Sequence, residues 1–424
     1  MLHIKNAYIK VMVVFAFTVL LVLAVNLPVA AAAAASASGL DVLEASQVRV
    51  VINGVAGSYT DVALEINDRI MLPFRELLTK LGVANDDEHI IWNEEEESVT
   101  VLYGENTVKL QIGNYNMSVN DVEKTYDVAP FFYEKNDRTY IPVRAVSELL
   151  DKEIMWEEAT STVYVRDKAN YAETVALLER MQNAGQETKI RATSDSIINY
   201  RITTDSGPIP GSDEDGVLRM KMSMSQQVTA DLEKNVYNVK QSSNINNIPM
   251  NTEVYFYNNR AFVKIDTPGS DWQDAGDIGV NVGAPTNQIM FMESQINARP
   301  LSDVAMGMAV TKGPDGTYSL TGEPLSFSDI NVIGDTLTSV LQQSNLSGLE
   351  MKFNKLQFGT TIDSQYKPVK TVALMDFEFS IKEQIESEDY ITIIFNADVN
   401  MTINYDRTDM DFTIEIPQEI LDLM

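Results

Sequence analysis

The stretch Asn67-Asp68-Arg69-Ile70-Met71-Leu72-Pro73-Phe74-Arg75 returns later in the chain as Asn136-Asp137-Arg138-Thr139-Tyr140-Ile141-Pro142-Val143-Arg144. The surroundings of the two copies repeat as well. Each copy runs into a short helical stretch, 76–81 and 145–150. Each then reaches a tryptophan strand, Ile90-Ile91-Trp92 and Ile154-Met155-Trp156, and passes through acidic residues into a β-rich run, 98–101 and 161–165. A hairpin precedes each copy, turning at Asn53-Gly54 and at Asn120-Asp121, residue pairs that accept positive φ. One unit therefore reads as hairpin, turn, strand, short helix and a further two-strand hairpin. Asn-Asp-Arg reverses the chain. Pro73 and Pro142 mark the step from strand to helix, because proline cannot donate to a ladder but starts a helix well. Leu77, Leu78 and Leu81, and likewise Val146, Leu149 and Leu150, give each helix one apolar face. Trp92 and Trp156 are expected to cover it. The recurring Arg69, Arg75, Arg138 and Arg144 belong to the same structural motif. A unit of this size has little core alone, so the two copies should pack as one domain.

The chain has 424 residues, 61 acidic against 32 basic, with two histidines and no cysteine. Its length suggests two or three domains. With 45% hydrophobic residues it can bury real cores, so it is not a disordered acidic tail. The lack of cysteine excludes disulfide scaffolds, thiolate nucleophiles, Cys-ligated zinc, iron–sulfur clusters and a lipid-modified N-terminal cysteine. A formal charge of −29 argues against nucleic acid, because phosphate is repelled and nothing supplies a counter-patch.

Residues 1–37 read as a secretory signal. Lys5 and Lys10 are its only charges, and both precede the uncharged run 11–25. Small residues at Ala35 and Ala37 suit a cleavage enzyme's narrow pockets and place the cut before Ser38. The alternative is an uncleaved anchor, since the run plus the following alanines could reach the ~20 residues a span needs. Membrane contact is expected through that segment alone. The protein is then secreted or extracellular, in a form associated with the cell wall.

The repeats resemble the copper amine oxidase N-terminal-like domain over about 47–167, in units of about 47–103 and 108–167. That family carries the pattern N-G/D-R, three hydrophobic residues, P, one hydrophobic residue and R, then a short helix and a tryptophan hairpin. The resemblance implies a stalk or surface-attachment module of secreted proteins, often in Gram-positive bacteria, rather than the catalytic part of an oxidase. The acidic segment 84–97 is longer than the family pattern and enlarges a loop. Asn404-Tyr405-Asp406 is similar to the core around the tyrosine that becomes a quinone in amine oxidases. That chemistry needs three copper-binding histidines, and after signal cleavage only His89 remains. No cofactor and no metal are expected.

Residues 170–424 have a different pattern. The stretch 171–184 reads as an amphipathic helix with Val175, Leu178 and Met181 on one face. Long alternating segments follow at 188–204, 217–229, 233–244, 250–257 and 260–265, with a hairpin at Asn258-Asn259. A mostly helical middle is expected, with helices at 285–298 and 327–341 and a glycine-rich turn at 313–316. Strands at 350–361, 367–381, 391–405 and 412–416 close the chain. This order gives an α+β fold: the β-rich two-repeat module with short helices, then a large curved antiparallel sheet, a half-barrel, with helices on one face. The hairpin before Trp272 and the terminal Glu415-Ile416-Pro417-Gln418-Glu419 resemble the LolA/LppX-like lipoprotein-carrier superfamily. That resemblance implies an open half-barrel whose concave face holds acyl chains or another apolar ligand.

Met220, Met222 and Met224 alternate along one strand and share a face. With Trp272, Met290 and Met292 they are candidates for an apolar pocket or for core, since flexible thioethers suit an adaptable pocket and also fill gaps. The acidic clusters 94–97 and 213–216 lack the spacing of a calcium loop. No G-x-S-x-G, H-E-x-x-H or P-loop occurs. The expected function is a non-catalytic secreted or cell-surface protein with an attachment module and a C-terminal domain for an apolar ligand or a protein partner. Cell-wall components are the other expected contact. A purely structural or adhesive envelope protein is the alternative, and an enzyme using paired carboxylates the remaining one.

Overall fold

The computed structural model describes residues 42–158, 161–184, 188–258, 260–266, 270–277, 300–323, 347–384, 390–408 and 410–424. The signal segment, the helices expected at 285–298 and 327–341, and Met290 and Met292 lie outside these residues. The fold is α+β and strand-rich. The chain forms two compact units. One holds the repeat region up to Ala176 together with Ser302–Ala309, and the other holds Leu177–Leu301 and Val310–Met424.

In the first unit the two copies of the repeat build each other's sheets. Strand Arg69–Pro73 of the first copy pairs antiparallel with Arg138–Pro142 of the second, Ile141 facing Leu72 and Tyr140 facing Pro73. Strand Thr162–Asp167 of the second copy pairs parallel with Arg49–Ile52 of the first. Alternation along the central strands sends Leu72 and Ile141 into one core and Met71 and Tyr140 into another. The larger core draws on both copies, including Leu77, Leu78, Val101, Val146 and Val165.

The helices are Phe74–Lys80 and Val143–Leu149, each starting directly after its proline, a little earlier than the apolar spacing alone suggests. Each ends on a residue with positive φ, Gly82 at 98° and Asp151 at 56°, the left-handed stop that releases the chain from a helix. The tryptophans are not buried over the helices as expected. Trp92 tilts against Phe74 with ring centroids 6.4 Å apart, yet stays 41% exposed. Trp156 is exposed and its indole N–H donates to Glu158 at 2.8 Å. The buried helix faces join a core filled by aliphatic side chains of both copies.

The Asn-Asp turn is built as its residue types require. Asn67 and Asp68 have φ of 51° and 58°, joining Leu64–Ile66 to Arg69–Pro73. The hairpin turn Asn120-Asp121 has the same form at 51° and 64°, whereas in the second copy of the motif only Asp137 is positive, at 54°. A β-branched residue is strained in this region. Asp68→Val is therefore expected to destabilise the protein by about 1–2 kcal/mol, with Asp68→Gly close to neutral, read as shifts of the urea midpoint at unchanged slope.

Two buried cations brace this unit. Lys152 donates to Asp167 and to the Tyr103 hydroxyl, the latter at 2.6 Å. Burial works against its charge, but those hydrogen bonds outweigh burial and hold its pKa above the usual 10.5. A raised folded pKa means that this contribution is complete at neutral pH and fades as pH climbs through the folded value. Lys152→Met should flatten the alkaline loss of stability above about pH 10 in a melting series. Arg166 is fully buried. It donates to the Ala305 carbonyl, to Asn170 Oδ1 at 2.5 Å and to Thr174 Oγ1 at 3.2 Å. Ala305 lies in the last turn of helix Leu301–Gly307, where a cation meets free carbonyls and the negative end of the helix. This bond ties a segment expected within the C-terminal region to the repeat module.

The second unit is built on a sheet of eleven antiparallel strands among the described residues. Across it lie Gln273–Asp277, Arg260–Ile265, Ile248–Tyr257, Val236–Ile245, Leu218–Asp231, Lys189–Thr204, Tyr390–Tyr405, Pro368–Gln384, Ser347–Ile362, Tyr318–Gly322 and Met308–Lys312. The expected long strands are present, with ends that differ by up to three residues in either direction. Lys189–Thr204 joins the two halves, pairing with Leu218–Asp231 on one side and Tyr390–Tyr405 on the other. Three expectations are corrected. The turn at 313–316 links two strands, Met308–Lys312 and Tyr318–Gly322, rather than helices. The run 412–416 is not a strand; Ile414 and Ile416 alternate because they pack one-sidedly against a cluster containing Trp272 and Ile420. Helix Lys168–Asn183 buries Thr174, Leu177 and Leu178, whereas Val175 and Met181 are only half-buried.

Candidate functional site

Two places combine apolar surface with polar groups that the fold leaves available. The first is one face of the eleven-stranded sheet. Period-two alternation points Ile198, Met222, Met224, Val399 and Met401 to a single core. Met220 is half-buried against it. The polar residues on this face are uncharged, and register lines them up. Ser194 faces Gln226, which faces Gln241, while Ser196 faces Met224 and Met401, and Met224 faces Ser243. Gln226 donates to Gln241 Oε1 at 2.9 Å, and Ser243 donates to the Met250 carbonyl at 3.0 Å. Among the described residues, Ser194 Oγ, Ser196 Oγ and Gln241 Nε2 of this patch have no hydrogen-bond partner. Their residues are 6%, 4% and 3% exposed. Buried polar atoms are nearly always paired, because leaving one bare costs about 1–3 kcal/mol. Tyr200 shares the face, and its burial pushes the phenol well above its ordinary pKa, so it is neutral here.

The structure separates Trp272 from these methionines. It packs edge-on to Tyr255 at 5.4 Å, with Phe262 and Ile420. Tyr255 and Phe262 alternate with Val254, Phe256 and Ala261, which belong to the methionine core. Trp272 is thus on the opposite face, under the C-terminal tail. Sequence reasoning found the methionines by their spacing but missed the serines and Gln241. Their signal was present, since Ser194 and Ser196 sit in phase with Ile198 and Tyr200 on a strand of strict alternation.

The second place is an open cleft of about 790 Å³ on the repeat module. The first copy contributes Phe74, Arg75, Glu76 and Trp92, and the second Phe132 and Arg138. Arg138 Nε is 3.3 Å from Asp61 Oδ2, and Arg75 reaches Asn85 and Asp87 at 3.4 Å. Glu76 accepts the Thr60 backbone N–H at 3.1 Å. Of the motif residues, Pro73, Phe74, Arg75, Asp137, Arg138 and Thr139 line the cleft together with Trp92. Arg69 instead pairs with Asp127 at 2.5 Å, Pro142 is buried, and Arg144 is exposed. The copies differ here: Phe74 lines the cleft, and the second copy has Val143 at the matching position.

Other acidic clusters close on themselves. Asp213 accepts the Val217 and Asp215 backbone N–H groups and pairs with Arg219. Those backbone bonds, that of Val217 first, lower its pKa. Among the described residues no three His, Cys, Asp or Glu side chains converge to hold a metal, and no helix is long and apolar enough to cross a membrane.

Residues 51–165 match the family described as the copper amine oxidase N-terminal domain. The match spans both copies of the repeat and stops before helix Lys168–Asn183. No curated protein matches the chain. Solved structures similar to it include a DUF1329 family protein from Desulfovibrio piger, at 12% identity over 58% of this chain and 95% of that one, with a TM-score of 0.18. A beta-barrel-like DUF1849 protein from Brucella abortus follows at 7% identity over 50% and 98%, also with a TM-score of 0.18. The ywiB protein of Bacillus subtilis has 10% identity over 53% and 96%, with a TM-score of 0.14. At such TM-scores these likenesses carry no argument about fold or function.

Proposed function

We propose that the protein is a secreted, non-catalytic envelope protein of a Gram-positive bacterium. Its repeat module attaches it at the cell surface, and its large sheet holds an apolar, lipid-like ligand. The observation that carries the ligand reading is a group of polar atoms on the methionine face, Ser194 Oγ, Ser196 Oγ and Gln241 Nε2, that have no partner among the described residues. A core packed permanently shut gains nothing from bare hydroxyl and amide groups among aliphatic and thioether side chains. A ligand with an apolar body and a hydrogen-bonding end satisfies both kinds of group at once. Flexible methionines let the face adjust to chains of different shape. The family match over 51–165 supports a stalk-like role for the first unit. A structural or adhesive protein without ligand is the second reading, and it requires this face to be filled by the protein itself.

The test is uptake by delipidated protein. Residues 38–424, extracted with organic solvent and refolded, should take up a fluorescent fatty-acyl probe saturably, and bacterial membrane lipid should displace it. Probe that binds without saturation, or only after unfolding, would contradict the reading.

A further inference from the structure

The cleft on the repeat module has features that the attachment reading does not specify. We propose that it is a binding site for an uncharged glycan. Three aromatic rings line it: Trp92 and Phe132, 41% and 47% exposed, and Phe74, 6.4 Å from Trp92. Large aromatic faces left in water within a concave surface are unusual for a packing role, since burying them is strongly favourable. Phe74 also packs against the larger core, whereas Trp92 and Phe132 belong to neither neighbouring core.

Charge narrows the class of ligand. The cleft carries Arg75, Lys80 and Arg138 against Asp61, Glu76 and Asp137, so it is neutral in a chain of strong negative charge. A polyanion meets no net attraction in the cleft and repulsion from the rest of the surface. A polycation meets no net attraction in the cleft either, because Arg75, Lys80 and Arg138 offset Asp61, Glu76 and Asp137, and Asp61 is already paired with Arg138. What remains is a ligand with flat C–H faces for the rings and many neutral hydroxyl or amide groups for the paired polar side chains. Sugar rings have both. The volume of about 790 Å³ and the open form suit a stretch of chain rather than one small molecule. The inference rests on the attachment reading and gives that module its ligand.

The experiment titrates residues 38–424 with hexamers of N-acetylglucosamine and of glucose, and with an anionic hexagalacturonate, by calorimetry. At least one neutral hexamer should bind saturably, with affinity unchanged between low and high salt. Trp92→Ala and Phe132→Ala should each weaken it at least tenfold. Both side chains are exposed, so the variants should keep the wild-type unfolding midpoint. Failure of both neutral hexamers to bind, binding that survives both substitutions, or binding of the anion alone would overturn the proposal. Sedimentation with isolated cell walls separates it from the broader reading. Wild-type protein that sediments with walls but binds no hexamer leaves attachment standing and removes the glycan cleft. Hexamer binding without sedimentation does the reverse.

Discussion

Arg166→Ala should cost about 4 kcal/mol of stability, combining a buried cavity with loss of donors to Ala305 and Asn170. The side chain is fully buried, and its partners among the described residues are a backbone carbonyl, an amide oxygen and a hydroxyl, with no carboxylate among them. Burial pulls its pKa down to about 10, with nearby Asp167 opposing, so it remains charged at neutral pH. Arg166→Met keeps most of the volume and removes a charge that is expensive to bury, so its effect should be about half as large. Thr174 still donates to the Asn170 carbonyl at 2.8 Å in either variant and needs no new partner. Amide exchange should report the change locally, with protection lost first at Ser302–Ala309. A loss below about 1 kcal/mol for Arg166→Ala would mean that the bond to Ala305 does not pin that segment.

The double variant Ser194→Ala/Ser196→Ala should move stability and ligand retention in opposite directions. Each hydroxyl is buried and has no partner among the described residues, so removing both should stabilise ligand-free protein by about 2 kcal/mol. The same change should lower retention of a lipid-like ligand about tenfold, the equivalent of one good hydrogen bond. A face filled by the protein alone predicts the gain in stability with no change in bound material. A loss of stability would mean that the hydroxyls are satisfied in solution by ordered water.

The parts of this architecture legible in the sequence were those fixed by local chemistry. Asn-Asp turns, the prolines that leave a strand for a helix, and strict alternation along 188–204 and 391–405 each dictate backbone geometry within a few residues. The pairing of the two repeats followed from their size. What could not be read depends on contacts distant in sequence. Ile414 and Ile416 alternate like a strand but lie against Trp272, because one-sided packing produces the same period as a ladder. The cleft is lined by Phe74 and Phe132, one from each copy, which come to one place because strand Arg138–Pro142 pairs with Arg69–Pro73. Trp272 looked like a companion of the methionines, yet the parity of Tyr255 and Phe262 assigns it to the other face.

The central claim is that the methionine face carries a ligand. Native mass spectrometry of residues 38–424, purified without detergent and followed by extraction of bound material, tests it most directly. The account predicts a stoichiometric apolar adduct that survives purification in the wild type and is depleted in Ser194→Ala/Ser196→Ala. A clean apo mass, unchanged after incubation with membrane lipids, would contradict it and leave the methionines as core of a structural envelope protein.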